Sequence, residues 1–313
     1  MNKKLKLFSF ALAALALGAC SSEDAIVDSN DGKGFAENGK GYVAVTINLP
    51  TRSASSTRTN ENDQTSDGKA SEYEIKNATL LLFTGSASGT EASAEFKAAY
   101  DLDITQTTPT DKDDDQITTQ VSKVKEINSL SASKIYALVV LNHNNIFTIN
   151  ADNTINIGTS PTAFSGTFAQ FTALTVSSAE AMTTNGIYMA NAPVVSTAGT
   201  VYGGEVTILK EVTDNIYKTE AQALANTAAD IIVERGVAKI ELTQNSSSNT
   251  TLPVGDKTLP FEITSWVVAN KNTSSFIVRN WNQSPVNQET FYGDSWLNLM
   301  SVKCTQKVGH KTW

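Results

Sequence analysis

The sequence predicts an all-β protein, on three observations. Short runs rich in Val, Ile, Thr and Leu recur along the 313 residues, and these residues suit a pleated, half-buried surface. Charged residues make up 18%, against roughly 25% in an average soluble protein, with Ser, Thr and Asn in their place. Helix signals are few: Ser178 to Thr184 and Thr219 to Asp230 are expected as short helices. This balance suits an extracellular β protein. The formal charge of −8 and the lack of a basic stripe argue against nucleic acid as a partner.

The chain opens MNKKLKLFSFALAALALGACSSED. Lys3, Lys4 and Lys6 precede an apolar stretch, Leu7 to Leu17, of signal-peptide length. The small residues Gly18 and Ala19 before Cys20 resemble a bacterial lipoprotein box, so residues 1–19 are expected to be removed and Cys20 to carry the lipid. The alternative is an ordinary secretory signal with an incidental cysteine. Each buried methylene of an acyl chain contributes about 0.8 kcal/mol, so a multiply acylated cysteine anchors stably. No later stretch reaches the roughly 18 apolar residues of a spanning helix. Ser21, Ser22, Glu23 and Asp24 resemble a surface-export signal, or are simply a solvated tether. The other cysteine is Cys304. With Cys20 lipidated no intrachain disulfide is possible, and stability must come from the cores.

Residues 21–40 are polar and glycine-bearing, as expected of a tether. The first strand is expected over Tyr42 to Leu49. Val43, Val45, Ile47 and Leu49 alternate with Ala44, Thr46 and Asn48, the period of a strand with one apolar face, and Pro50 ends it. Residues 51–70 hold almost no apolar side chain and two arginines, Arg52 and Arg58; a mobile loop is expected. Ala78 to Phe83 and Lys134 to Leu141 are continuous apolar runs, expected as strands buried on both faces. Gly204 to Leu209 alternates weakly. Ile231 to Leu242 changes apolar phase at Gly236, where a bulge would absorb the extra residue. Asn245 to Leu252 is expected as a linker and domain boundary, and Phe261 to Ala269 as a further strand. Only about 60 residues follow the linker, thin for an independent domain, and the chain looks cut short at Trp313.

Catalytic chemistry is not evident. His143 follows a strand in LNHNN, where a polar turn residue is expected; His310 stands apart. Asp111, Asp113 and Asp115 occupy the first positions of a calcium loop, but Gln116 and Ser122 stand where glycine and glutamate are required. Neither a metal site nor a cofactor is expected. Gly203-Gly204 is a turn rather than a phosphate loop. Cys304 has no convincing histidine or second cysteine near it, and an incidental free cysteine is expected. Trp266, Trp281 and Trp296 are candidate sugar platforms, although burial is the more frequent fate of Trp.

Taken in order, LGAC, YVAVTINLP, the arginine-bearing loop, YALVVLN, GIYMANAPV, VERGVAKIEL and ITSWVVANKN resemble the fimbrillin family of Bacteroidales, subunits of type V pili, and its minor-fimbrillin branch most closely. The resemblance covers most of residues 1–280. It implies a subunit of two transthyretin-like β-sandwich domains, exported as a lipoprotein. An arginine-specific protease would cut after the first strand, and a strand from a neighbouring subunit would replace it. Mapped here, residues 20–58 are the lipidated tether and removable strand, with Val43, Val45, Ile47 and Leu49 facing the core. The implied cut would fall after Arg58, deeper in the loop, or after Arg52. Residues 59–245 would form the first domain and 246–313 a truncated second. The implied partners are other fimbrial subunits, the protease, the outer membrane through the lipid, and an unidentified receptor in adhesion. The competing reading is an uncut surface lipoprotein, a pilus anchor or a glycan-binding module.

Overall fold

In the computed structural model the described residues are 32–50, 70–105, 118–177, 182–183, 186–195, 206–236, 251–254, 257–260 and 274–279. The long strands come early: β1 (Lys40–Pro50), β2 (Ala78–Gly85), β3 (Glu95–Asp101), β4 (Thr118–Asn128) and β5 (Lys134–Leu141). Shorter elements follow: β6 (Phe147–Ile149), β7 (Ile155–Ile157), α1 (Phe168–Thr172), β8 (Thr175–Ser177), β9 (Met182–Thr183), β10 (Gly186–Ile187) and β11 (Met189–Asn191). Next are β12 (Val194–Val195), β13 (Val206–Thr207), β14 (Lys210–Glu211), β15 (Ile216–Tyr217), α2 (Glu220–Ala225) and β16 (Ala229–Arg235). The last are β17 (Thr251–Val254), β18 (Lys257–Pro260) and β19 (Ser274–Phe276). The fold is all-β.

The main sheet runs β15-β1-β16-β11-β5-β2-β3, with β4 on β1 and β14 on β5. It turns back on itself at β16. Ala229 to Ile232 run parallel to β1, whereas Val233 to Arg235 run antiparallel to β11. One layer therefore holds β4, β1 and β15; the other holds β3, β2, β5, β11 and β14. A single core lies between them, where Val43, Val45, Ile47 and Leu49 meet Leu80, Leu82, Ile135, Ala137, Val139 and Leu141.

The alternate residues of β2 and β5 face away from this core into a second one. Leu81, Phe83, Leu138 and Val140 pack with Phe147, Ile155, Phe168, Phe171 and Tyr188. Phe83 sits at the centre, with edge-on rings from Phe168 at 5.4 Å, Phe96 at 5.7 Å and Phe171 at 5.9 Å, the geometry aromatic pairs prefer. Both runs expected to be buried on two faces are so buried. Residues 274–279 reach the second core: β19 pairs with β8, and Ile277 and Val278 are buried there.

Among the described residues both α-helices open on a capping box. Thr167 caps α1 with Gln170, and Thr219 caps α2 with Gln222. Helices of five and six residues do not stand alone in water; Phe168 and Phe171 anchor α1, and Ala223 anchors α2. Three expectations need correction. The helix expected over Thr219 to Asp230 stops at Ala225, because Ala229 and Asp230 are drawn into the ladder beside Val45 and Thr46. Within the expected helix Ser178 to Thr184, Met182 and Thr183 instead pair as a strand with Ile187 and Gly186. The expected linker ends before Leu252, since Thr251 and Leu252 pair with Pro260 and Leu259.

Candidate functional site

The first strand of the described chain is central rather than peripheral. β1 is eleven residues long. Along one edge it pairs with β4 over its whole length, from Lys40 opposite Asn128 to Pro50 opposite Thr118. Along the other edge Tyr42 and Val43 pair with β15, and Val45 to Asn48 run parallel to β16. Among the described residues β4 has no ladder partner except β1.

Period-two alternation decides which side chains enter the core. Val43, Val45 and Ile47 are 0% exposed and Leu49 1%. The other face is polar and specific. Asn48 Nδ2 donates to Asp230 Oδ1 at 2.6 Å and to the Ile231 carbonyl at 3.2 Å; its Oδ1 accepts from Gln120 Nε2 at 3.2 Å. The Thr46 and Ser122 hydroxyls lie 2.7 Å apart. Ala44 is 1% exposed and packs with Tyr217 and Ala223.

At the start of the strand Lys40 Nζ lies 3.1 Å from Glu126, which also accepts from the Tyr42 hydroxyl. These bonds, Lys40 first, hold the Glu126 carboxyl below its ordinary range. The bond to Glu126 raises the Tyr42 hydroxyl above its own. The chain just before β1 embraces β15 from its far side. Gly34 donates to the Ile216 carbonyl and Lys218 to that of Gly32, both at 2.8 Å, and Lys33 bridges Tyr217. Residues 32–43 thus occupy both edges of β15.

Of the residues singled out in the sequence, the fold brings Val43, Val45, Ile47 and Leu49 together in one core. Cys20, Arg52, Arg58, the acidic run at 111–115, Gly203-Gly204, Trp266, Trp281, Trp296, Cys304 and His310 lie outside the described residues. His143 does sit in the turn after β5 and stacks on Phe147 at 4.6 Å; burial holds its imidazole below the ordinary value. Among the described residues no cluster of His, Cys, Asp or Glu has metal-binding geometry, and no helix is long and apolar enough to cross a membrane. A cavity of about 360 Å³ lies beside Tyr188, Glu234, Phe276 and Arg279. Its charges are matched, with Arg279 Nη2 2.7 Å from the Glu234 carboxylate.

Two buried asparagines escaped the sequence reading. The Asn142 side chain accepts from Lys76 N and donates to the Glu74 and Ile187 carbonyls. Asn191 accepts from Val139 N and donates to the Ala137 and Ile208 carbonyls. The signal was present: each ends an apolar stretch, YALVVLN or YMAN.

An all-β protein whose first described strand is paired along both edges is the class these features define. No family model and no curated protein matches the chain. A solved structure described as a "putative cell adhesion protein" of Parabacteroides distasonis aligns at 10% identity with a TM-score of 0.29, over 62% of this chain and 45% of that one. The chain thus spans less than half of that protein, and a likeness at this level carries no weight for fold or function.

Proposed function

We propose that this chain is a structural subunit of a cell-surface fimbria that supports adhesion. It is exported as a lipoprotein through Cys20, and an arginine-specific protease cuts it after Arg52 or Arg58. β1 then leaves, and a strand of a neighbouring subunit takes its place. One observation carries the reading: the strand that immediately precedes the arginine-bearing segment is also an interior strand, paired along both its edges.

The physical chemistry supports it. Departure of β1 would leave unpaired backbone groups on β4 and on β16, with an apolar trough between them. A strand from another chain repairs both defects, which is strand addition. The four core side chains contribute about 1.5–3 kcal/mol each, or about 6–12 together, an upper figure because unfolded chains are already compact. A trough of that depth favours a plug until assembly.

N-terminal sequencing of surface-exposed material tests the reading. A start at Ser53 or Thr59 is expected, and the double variant Arg52→Ala, Arg58→Ala should form no filaments. Filaments in normal number from that variant would refute it.

A further inference from the structure

We propose that the groove selects its occupant on the outer face, taking from another chain a strand with a small residue at the register position of Ala44 and an amide at that of Asn48. This rests on the removable-strand reading and specifies which strand fits.

The inner face cannot select with any precision. It asks only for four aliphatic side chains at every second position, and a slip of two residues along the groove would still satisfy most of it. A slip of one residue is excluded by the pleat, which would turn the polar set into the core. Something else must choose between registers two residues apart.

The outer face can. Asp230 and Gln120 belong to opposite walls of the groove, Asp230 to β16 and Gln120 to β4. Both remain when β1 leaves. The first offers an acceptor and the second a donor, 2.6 and 3.2 Å from the Asn48 amide. A primary amide answers both at once. Leucine, of similar shape, answers neither. Aspartate would accept from Gln120 but set a second negative charge against Asp230. Four residues earlier the demand is for size. Ala44 lies under Tyr217 and Ala223, the latter on α2, and a longer side chain would have to displace that cover. Between them the Ser122 hydroxyl meets Thr46. Direction is set too, since the occupant must run antiparallel to β4 and parallel to β16. The fitting strand therefore reads aliphatic, small, aliphatic, hydroxyl, aliphatic, amide, aliphatic.

The test uses the full chain, cut at Arg52 or Arg58 with an arginine-specific protease. It is given a brief urea pulse with fluorescent peptides spanning residues 40–50, and uptake is read by anisotropy. The unchanged peptide should enter. The Asn48→Leu peptide should bind about tenfold more weakly, the difference of one satisfied polar group; Asn48→Asp should bind more weakly still. Ala44→Leu should not bind detectably. In a chain carrying Asp230→Ala and Gln120→Ala the gap between the unchanged and Asn48→Leu peptides should narrow to about threefold, the Ile231 carbonyl alone still accepting from the amide. Equal uptake of these two by the parent chain overturns the selection and leaves the removable strand standing, as does a tenfold gap undiminished in the Asp230→Ala, Gln120→Ala chain. Uptake of Ala44→Leu at parent level overturns the size requirement. If no peptide enters, the unchanged one included, the removable-strand reading falls and this inference with it.

Discussion

Asn191 closes a gap that no strand covers. Beside β5, β11 pairs with Val140 and Leu141, and β14 with Tyr136 and Ala137. Between those ladders the Asn191 carboxamide takes the Val139 N–H at 2.8 Å and gives to Ala137 O at 3.1 Å and Ile208 O at 2.9 Å. All of this is buried, so truncation strands groups that water cannot reach. Asn191→Leu should destabilise the chain by about 2–4 kcal/mol, the range for losing a buried hydrogen-bond network. The urea midpoint checks this; a change within about 0.5 kcal/mol would show that the carboxamide is replaceable. Sequence reasoning treats asparagine as a turn former, and it served that way for LNHNN, where Asn142 and Asn144 have φ of 53°. The end of the apolar stretch YMAN marks Asn191 for burial, but not its role in standing in for a missing strand, because that need is created by β5, some fifty residues away.

At the scale of elements, β1 is gripped at its start by charge and along its length by the core. Both partners of Glu126, Lys40 and Tyr42, lie on β1. The carboxyl is held below its ordinary value in the folded chain. Its contribution is therefore present above the unfolded value and lost as pH falls through the lowered one. Acid should loosen the start of β1. Below about pH 4.5 the urea midpoint of a Glu126→Gln variant should fall less steeply than the parent's; parallel slopes would refute the linkage. β1, β2 and β5 were legible in the sequence because their patterns are set by burial. β4 was not: Val121, Val124 and Ile127 stand three apart, and Lys123 and Lys125 face Val45 and Val43 across the ladder, on the inward side. Inward charges are one way an edge strand avoids unwanted pairing. Here Lys123 reaches the Asp103 carbonyl and Lys125 its carboxylate, so the stems line the rim while the ammonium groups find partners. The two-residue strands were illegible for another reason. They are too short to carry a pattern of their own and are set by the partners they pair with.

For the whole molecule, the proposed cut changes one quantity above all, the tether on β1. In the uncut chain β1 and β4 are one molecule, so their pairing is intramolecular and independent of protein concentration. After cutting, β1 stays only by the affinity of its own contacts, and folding becomes an association. The melting temperature of the cut chain must then depend on concentration, whereas that of the uncut chain must not. A hundredfold dilution costs the associated state about 2.7 kcal/mol. A domain of this size loses about 2–4 °C for each kcal/mol, so the cut chain should melt about 5–10 °C lower when diluted. Scanning fluorimetry at two concentrations, before and after cutting, decides the matter. If the cut chain melts at one temperature throughout, with residues 32–50 still comigrating with the remainder, β1 does not leave as a unit. The trough between β4 and β16 would then never open to a second chain. If the shift appears, the same scan run with excess peptide of residues 40–50 should restore the undiluted value, because mass action refills the groove.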